Sequence, residues 1–241
     1  MKGRGCMVWI LSILLVLALL IVWSVYTDRN NYTYYKMTVE VETPEGVRSG
    51  HSVREVHYGS GEGWSWLPIW WLGEQRPQWR LRGEAVAINI APGQTLFALL
   101  SSGSGQVDYA GRDVWQMLKD ESKIKGGKLE LWPNMPTKRG LNAQERQGST
   151  LPMLVTLSDL ADPKSVALVN PADLAASFGE GVKLSRIIVE VTDEALTVGI
   201  GKRLGWLDDP GYSLNKGSGV TASPTLSQSI RHGAFSQGMH K

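Results

Sequence analysis

The sequence predicts an α+β protein: a mainly antiparallel β domain with a few short helices, preceded by one N-terminal transmembrane helix. Three observations carry this. Residues 7–26, MVWILSILLVLALLIVWSVY, form an apolar run without charge or proline. Segments such as 37–43, MTVEVET, alternate apolar and polar residues with period two, the signature of a half-buried strand. Turn chemistry, Pro44-Glu45-Gly46 and Pro92-Gly93, separates these segments at hairpin spacing.

The apolar run comes first. About 20 helical residues at roughly 1.5 Å each cross the hydrocarbon core of a bilayer, and a helix satisfies its own backbone there. A cleaved secretory signal would also begin with basic residues, here Lys2 and Arg4. The run exceeds the ~7–15 residues of a signal core, however, and ends on Ser24-Val25-Tyr26 rather than small residues at cleavage spacing. Trp9, Trp23 and Tyr26 stand where interfacial anchors belong. Lys2, Arg4 and the α-amino group precede the run, while Arg29 and Lys36 follow it more loosely. That bias places residues 1–6 in the cytoplasm and the bulk of the chain outside.

Beyond a polar collar, 27–36, the β domain is expected over 37–207. Met37, Val39 and Val41 share the buried face of the first strand, with Glu40 and Glu42 opposite. Residues 47–58 read as its return strand, with a bulge or kink where the apolar parity changes between Val53 and Val56. Residues 59–78 are rich in glycine, proline and tryptophan and read as a long loop. Segments 79–90 and 95–100 make a second hairpin around Pro92-Gly93, the latter apolar on both faces as in a covered strand.

A Gly/Ser-rich connection leads to a helix over 108–120, with Ala110, Val114, Trp115 and Leu118 on one side and a stop at Lys125-Gly126-Gly127. Further strands are expected at 128–132, 151–157 and 182–192, the last with Ile187, Val189 and Val191 inward. Residues 133–150 lack periodicity and read as a mobile loop or subdomain boundary. A short helix fits 171–178, between Pro171 and Gly179. Residues 202–207 are the last docked piece, and the Ser/Gly/Thr/Pro-rich stretch 208–241 reads as a disordered tail.

Composition narrows the function classes. The net charge of +2 with interspersed signs offers no basic stripe for nucleic acid. The single cysteine, Cys6, precedes the apolar run, so the domain folds without an intramolecular disulfide and the usual lipoprotein linkage is excluded. Roughly 180 foldable residues suffice for that.

Candidates for chemistry are sparse. His51 and His57 are too far apart along one strand, about 20 Å, to share a metal. His232 and His240 lie in the expected tail. The connection SSGSGQVD matches neither a nucleophile elbow nor a phosphate loop, and Ser104 is its nucleophile candidate. The pairs Glu40/Glu42, Asp159/Asp162, Asp193/Glu194 and Asp208/Asp209 read as surface or turn residues. No metal or cofactor is expected.

The unusual constellation is Trp64, Trp66, Trp70, Trp71 and Trp79, half of the ten tryptophans. Three roles compete for it: completing the core, lying in the outer headgroup layer, or forming a platform for an envelope protein or glycan.

Two stretches, TVEVETPEGVRSG with RGEAVAINIAPGQTLFALL, and NPADLAASFGEGVKLSRIIVEVTDEALTVGIGKRLGWL, resemble uncharacterised bacterial envelope proteins, largely proteobacterial, to which no activity is assigned. The resemblance implies a bacterial host and transfers no catalytic residue. The expectation is a single-pass inner-membrane protein whose periplasmic β domain is a non-catalytic binding or structural module using the tryptophan loop. The alternative is an extracytoplasmic hydrolase working through Ser104 or a carboxylate pair.

Overall fold

The computed structural model describes residues 3–29, 32–60, 77–102, 109–119, 128–133, 151–208, 214–215 and 225–239; side chains are described for these except 3–8, 10, 24–29, 59–60 and 77–78. The chain forms two compact units, Met1–Thr33 with His57–Arg80, and Tyr34–Val56 with Leu81–Lys241.

The first unit contains helix α1, Gly3–Arg29. Its sequence is apolar on every side through the middle turns, so no stripe is set aside for packing on a core. Trp9 and every residue from 11 to 23 are exposed. Among the described residues, no helix is long and apolar enough to cross a membrane. The unbroken stretch of α1 with described side chains is 11–23, short of the ~20 residues of a span, although the helix backbone itself runs for 27 residues. The same unit holds the near ends of β1 (Tyr32–Thr43), β2 (Gly46–Ser60) and β3 (Pro77–Glu84). The expected collar is thus largely regular structure, because α1 runs on to Arg29 and β1 starts at Tyr32.

The second unit is mainly antiparallel β. After β3 come β4 (Val86–Ala91), β5 (Gln94–Ser102), α2 (Val114–Lys119), β6 (Lys128–Leu131), β7 (Pro152–Leu157), β8 (Val166–Leu168), α3 (Ala175–Phe178), β9 (Lys183–Val191), α4 (Ile200–Arg203), α5 (Leu226–Ser229) and β10 (Ser236–Gln237). One sheet has the order β10-β3-β2-β1-β9-β6, the other β4-β5-β7-β8. The predicted continuous strand 79–90 is therefore two strands, parted at Ala85 and assigned to different sheets. The backbone N–H of Ala85 donates to the Phe235 carbonyl at 2.8 Å, which takes this residue out of either ladder.

Alternation along β1 places Tyr35, Met37, Val39 and Val41 in the core. In register, Met37 opposes Val189, and Val39 opposes Ile187, while β6 sets Leu129 and Leu131 against the same two β9 residues. Val191, predicted inward, is 58 % exposed, because it sits at the end of β9 beyond the last β6 partner, Lys128 opposite Glu190. The Pro92-Gly93 turn closes the β4–β5 hairpin with Gly93 at φ 77°, a conformation that favours glycine. The helix over 108–120 is present as a π-helical turn, Tyr109–Asp113, continued by α2.

The expected disordered tail requires correction. Residues 225–239 carry α5, a 3₁₀ turn and β10, and β10 pairs with β3. Thr225 and Gln228 form a reciprocal capping box at the start of α5, satisfying helix-end donors that would otherwise be orphaned. Leu214, Ile230, Ala234 and Phe235 join Phe97, Leu99, Val155, Leu204 and Leu207 in one hydrophobic core. Phe235 meets Phe97 edge-on at 5.7 Å and Trp206 at 5.3 Å. A few well-placed apolar residues dock this segment although its average composition is polar.

Candidate functional site

Of the five tryptophans singled out, Trp64, Trp66, Trp70 and Trp71 lie outside the described residues. Trp79 is described, half-buried in β3. Its ring lies 4.5 Å from that of Tyr58, tilted by 43°. On the other face of β2, His57 stacks on Tyr32 at 4.2 Å and 22°. These four rings occupy the ends of three strands in the same unit as α1. Between the last residue of α1, Arg29, and the first of β1, Tyr32, only two residues intervene. The sequence reading found Trp79 but missed its companions, since cross-strand neighbours cannot be seen without register.

The second unit contains a buried polar cluster that the sequence reading did not anticipate. Five consecutive β2 residues, 52–56, are buried, so β2 is covered on both faces here, and this accompanies the change of apolar parity. Ser52, Arg54 and Val56 share one face, Val53 and Glu55 the other. Arg54 is completely enclosed. Its Nε donates to the Glu84 carbonyl at 3.1 Å, and its Nη1 to Met37 Sδ at 3.4 Å. The guanidinium lies 6.0 Å from the centre of the Tyr35 ring. Gly83, at φ 156°, admits it: a Cβ there would stand 2.7 Å from Arg54 Cγ.

Around this cation the hydrogen bonds are specific. Ser52 Oγ donates to the same Glu84 carbonyl at 2.8 Å, and the Glu84 carboxylate accepts the Ile200 N–H at 2.9 Å. Tyr35 donates its hydroxyl to the Ala110 carbonyl at 2.6 Å, within the π-helical turn. On the opposite face, Glu55 accepts from the Tyr34 hydroxyl at 2.7 Å and from Arg82 at 3.4 Å. Burial pushes the Tyr35 hydroxyl pKa up, with Arg54 opposing in part. Burial likewise raises that of Tyr109, so both phenols stay protonated across the physiological range.

The guanidinium at the centre of this cluster is closed to solvent. Among the described residues Arg54 Nη2 has no hydrogen-bond partner, and it exposes less than 1 Å². A buried guanidinium in that condition is a destabilising feature offset by its surroundings.

The remaining candidates disperse. Ser104, Asp209 and His240 lie outside the described residues. Glu40 pairs with Arg186 at 2.8 Å, and Glu194 with Lys36. Asp159 accepts the Ala161 N–H, and Asp162 caps the 3₁₀ turn at Pro163 by accepting from Lys164; both are turn residues in structure. Glu42, Asp193 and Asp208 are exposed. His51 is exposed, and His232 packs 5.5 Å from the Trp206 ring. Among the described residues, no three His, Cys, Asp or Glu side chains gather as metal ligands would.

No protein-family model, curated protein or solved structure matches the chain.

Proposed function

We propose that the protein is a single-pass bacterial inner-membrane protein, anchored by residues 7–26 with its N-terminus in the cytoplasm, whose periplasmic β domain is a non-catalytic binding or structural module. The observation that carries this reading is α1, a 27-residue helix on which every described side chain is exposed and nearly all are apolar. A helix of that kind has no stripe to bury on a protein core and finds its counterpart in hydrocarbon. The non-catalytic part is supported by the engagement of Glu40, Asp159, Asp162 and Glu194 in ion pairs and turns. Within the tryptophan segment, Trp64, Trp66, Trp70 and Trp71 are the proposed contact for an envelope protein or a glycan.

The test is carbonate extraction of native membranes together with protease treatment of intact cells and spheroplasts. The protein is expected to stay with the membrane pellet. Its C-terminal domain is expected to be digested in spheroplasts alone. Release by carbonate overturns the anchor, and digestion only after the inner membrane is breached overturns the orientation. In membranes crosslinked before solubilisation, a Trp70→Ser/Trp71→Ser variant that keeps its fold and membrane residence is expected to lose the wild-type crosslink. An unchanged crosslink overturns the contact role.

A further inference from the structure

We propose that Tyr32, His57, Tyr58 and Trp79 form an aromatic footing by which the near ends of β1, β2 and β3 rest in the phospholipid headgroup layer. The inference rests on the anchoring role of α1 and adds a second membrane contact to it, made by the folded sheet itself.

Distance is the first argument. If the chain leaves the hydrocarbon near Tyr26, α1 continues three residues to Arg29, about 4.5 Å of rise. From Arg29 to Tyr32 three more residues of chain reach at most about 10 Å. The headgroup layer occupies roughly 5–8 Å on each side of the hydrocarbon. Tyr32 therefore begins its strand at most about 15 Å from the hydrocarbon, inside that layer or within about 10 Å of it. The 4.2 Å stack with His57 brings the end of β2 to the same level, and Tyr58 with Trp79 adds β3.

Chemistry is the second. Each of these side chains joins an apolar ring to a polar edge, the combination that partitions to the headgroup boundary. Tyr32 is 41 % exposed, and the other three are half-buried, so each ring keeps an outward portion while its neighbour holds it in place. Ring pairing keeps the footing ordered, which lowers the entropy lost on contact with lipid. The outer face of β1 beyond this end is different in kind: Lys36 and Glu40 lie there in ion pairs, suited to water.

Nitroxide accessibility tests the footing in the full-length chain. In a Cys6→Ser background, single labels are placed through Val16→Cys, Tyr58→Cys and, separately, Arg80→Cys, which leaves all four rings intact. The protein is reconstituted into vesicles of equal parts phosphatidylcholine and phosphatidylglycerol, with circular dichroism confirming the fold of each variant. The label at position 16 is expected to collide freely with oxygen and hardly with a nickel chelate. Labels at positions 58 and 80 are expected to show a severalfold loss of nickel-chelate collisions relative to the same label in water. Water-like values at both 58 and 80 with a buried label at 16 overturn the footing and leave the anchor standing. A water-like label at 16 overturns the anchor and the footing together.

Discussion

Two parts of the six-stranded sheet treat polar side chains in opposite ways. Across β1, β9 and β6 one face is apolar: Met37, Val39, Ile187, Val189, Leu129 and Leu131 are buried. On the other face Lys36 stands opposite Glu190 and Glu190 opposite Lys128, while Glu40 stands opposite Arg186. Those charges meet as partly exposed pairs at 3.7, 3.1 and 2.8 Å. On β2 and β3, by contrast, Ser52, Arg54, Glu55 and Glu84 are all buried. The difference comes from what covers each region. β10 extends the sheet at the β3 edge, and β2 is buried on both faces from Ser52 to Val56, so polar residues there must find partners inside the protein. At β1, β9 and β6 the polar face has water instead, and single pairs there are worth little.

The C-terminal segment that borders β3 carries Phe235 into the hydrophobic core, and removing that ring should have the largest effect. Phe235→Ala is expected to destabilise the protein by about 3–5 kcal/mol in denaturant unfolding, because the ring is fully buried and its loss leaves a cavity. A change near zero would mean that the C-terminal segment is not docked.

Next is Glu84, whose carboxylate accepts the Ile200 N–H at 2.9 Å while only 6 % of the residue is exposed. Glu84→Ala strands that donor and is expected to cost about 1–3 kcal/mol. Glu84→Gln keeps an acceptor and should recover most of the loss. Equal losses in the two variants would show that the carboxylate charge, rather than the hydrogen bond, is what matters.

Arg54 should behave unlike either. Its removal leaves the Glu84 carbonyl still bonded to Ser52 and relieves a buried charge, one nitrogen of which has no partner among the described residues. Arg54→Met fills similar space and is expected to leave stability unchanged or raise it by up to about 2 kcal/mol. A loss of several kcal/mol would show that the guanidinium is a net contributor.

The same contrast explains what could be read from the sequence. β1, β6 and β9 were legible because one face is wet, so period two survives in the residues themselves. The β4–β5 hairpin was legible through Pro92-Gly93, where the turn demands a glycine conformation. Strand β2 was less so, since coverage on both faces removes the alternation and admits Arg54 and Glu55. The switch at Ala85 was invisible because it is decided by a backbone hydrogen bond to Phe235, 150 residues away. The C-terminal segment was misread because Leu214, Ile230 and Phe235 are diluted among polar residues, although these few side chains do the docking. Of the aromatic footing, Trp79 stood out by composition, whereas Tyr32, His57 and Tyr58 become neighbours only through strand pairing.

The smallest effect belongs to the wet face. Lys36 lies between Glu190 and Glu194, and its hydrogen bond to Glu194 is the main cause raising its pKa above the ordinary lysine value. The same bond lowers the Glu194 pKa below the ordinary carboxylate value. The sign follows for each edge of the pH profile. A lowered carboxylate contributes stability that is present above its unfolded pKa and lost as pH falls through its folded one. A raised lysine contributes stability that is present below its unfolded pKa and lost as pH rises through its folded one. The pair therefore adds a plateau across neutral pH with one edge in the acid range and one in the alkaline range. Lys36→Met should flatten both edges together, and high salt should flatten them in the wild type, since these groups are screened. Thermal unfolding midpoints followed against pH, in low and high salt, would read this directly. An alkaline edge that survives in Lys36→Met would assign it to another group and leave the ion pair without measurable weight.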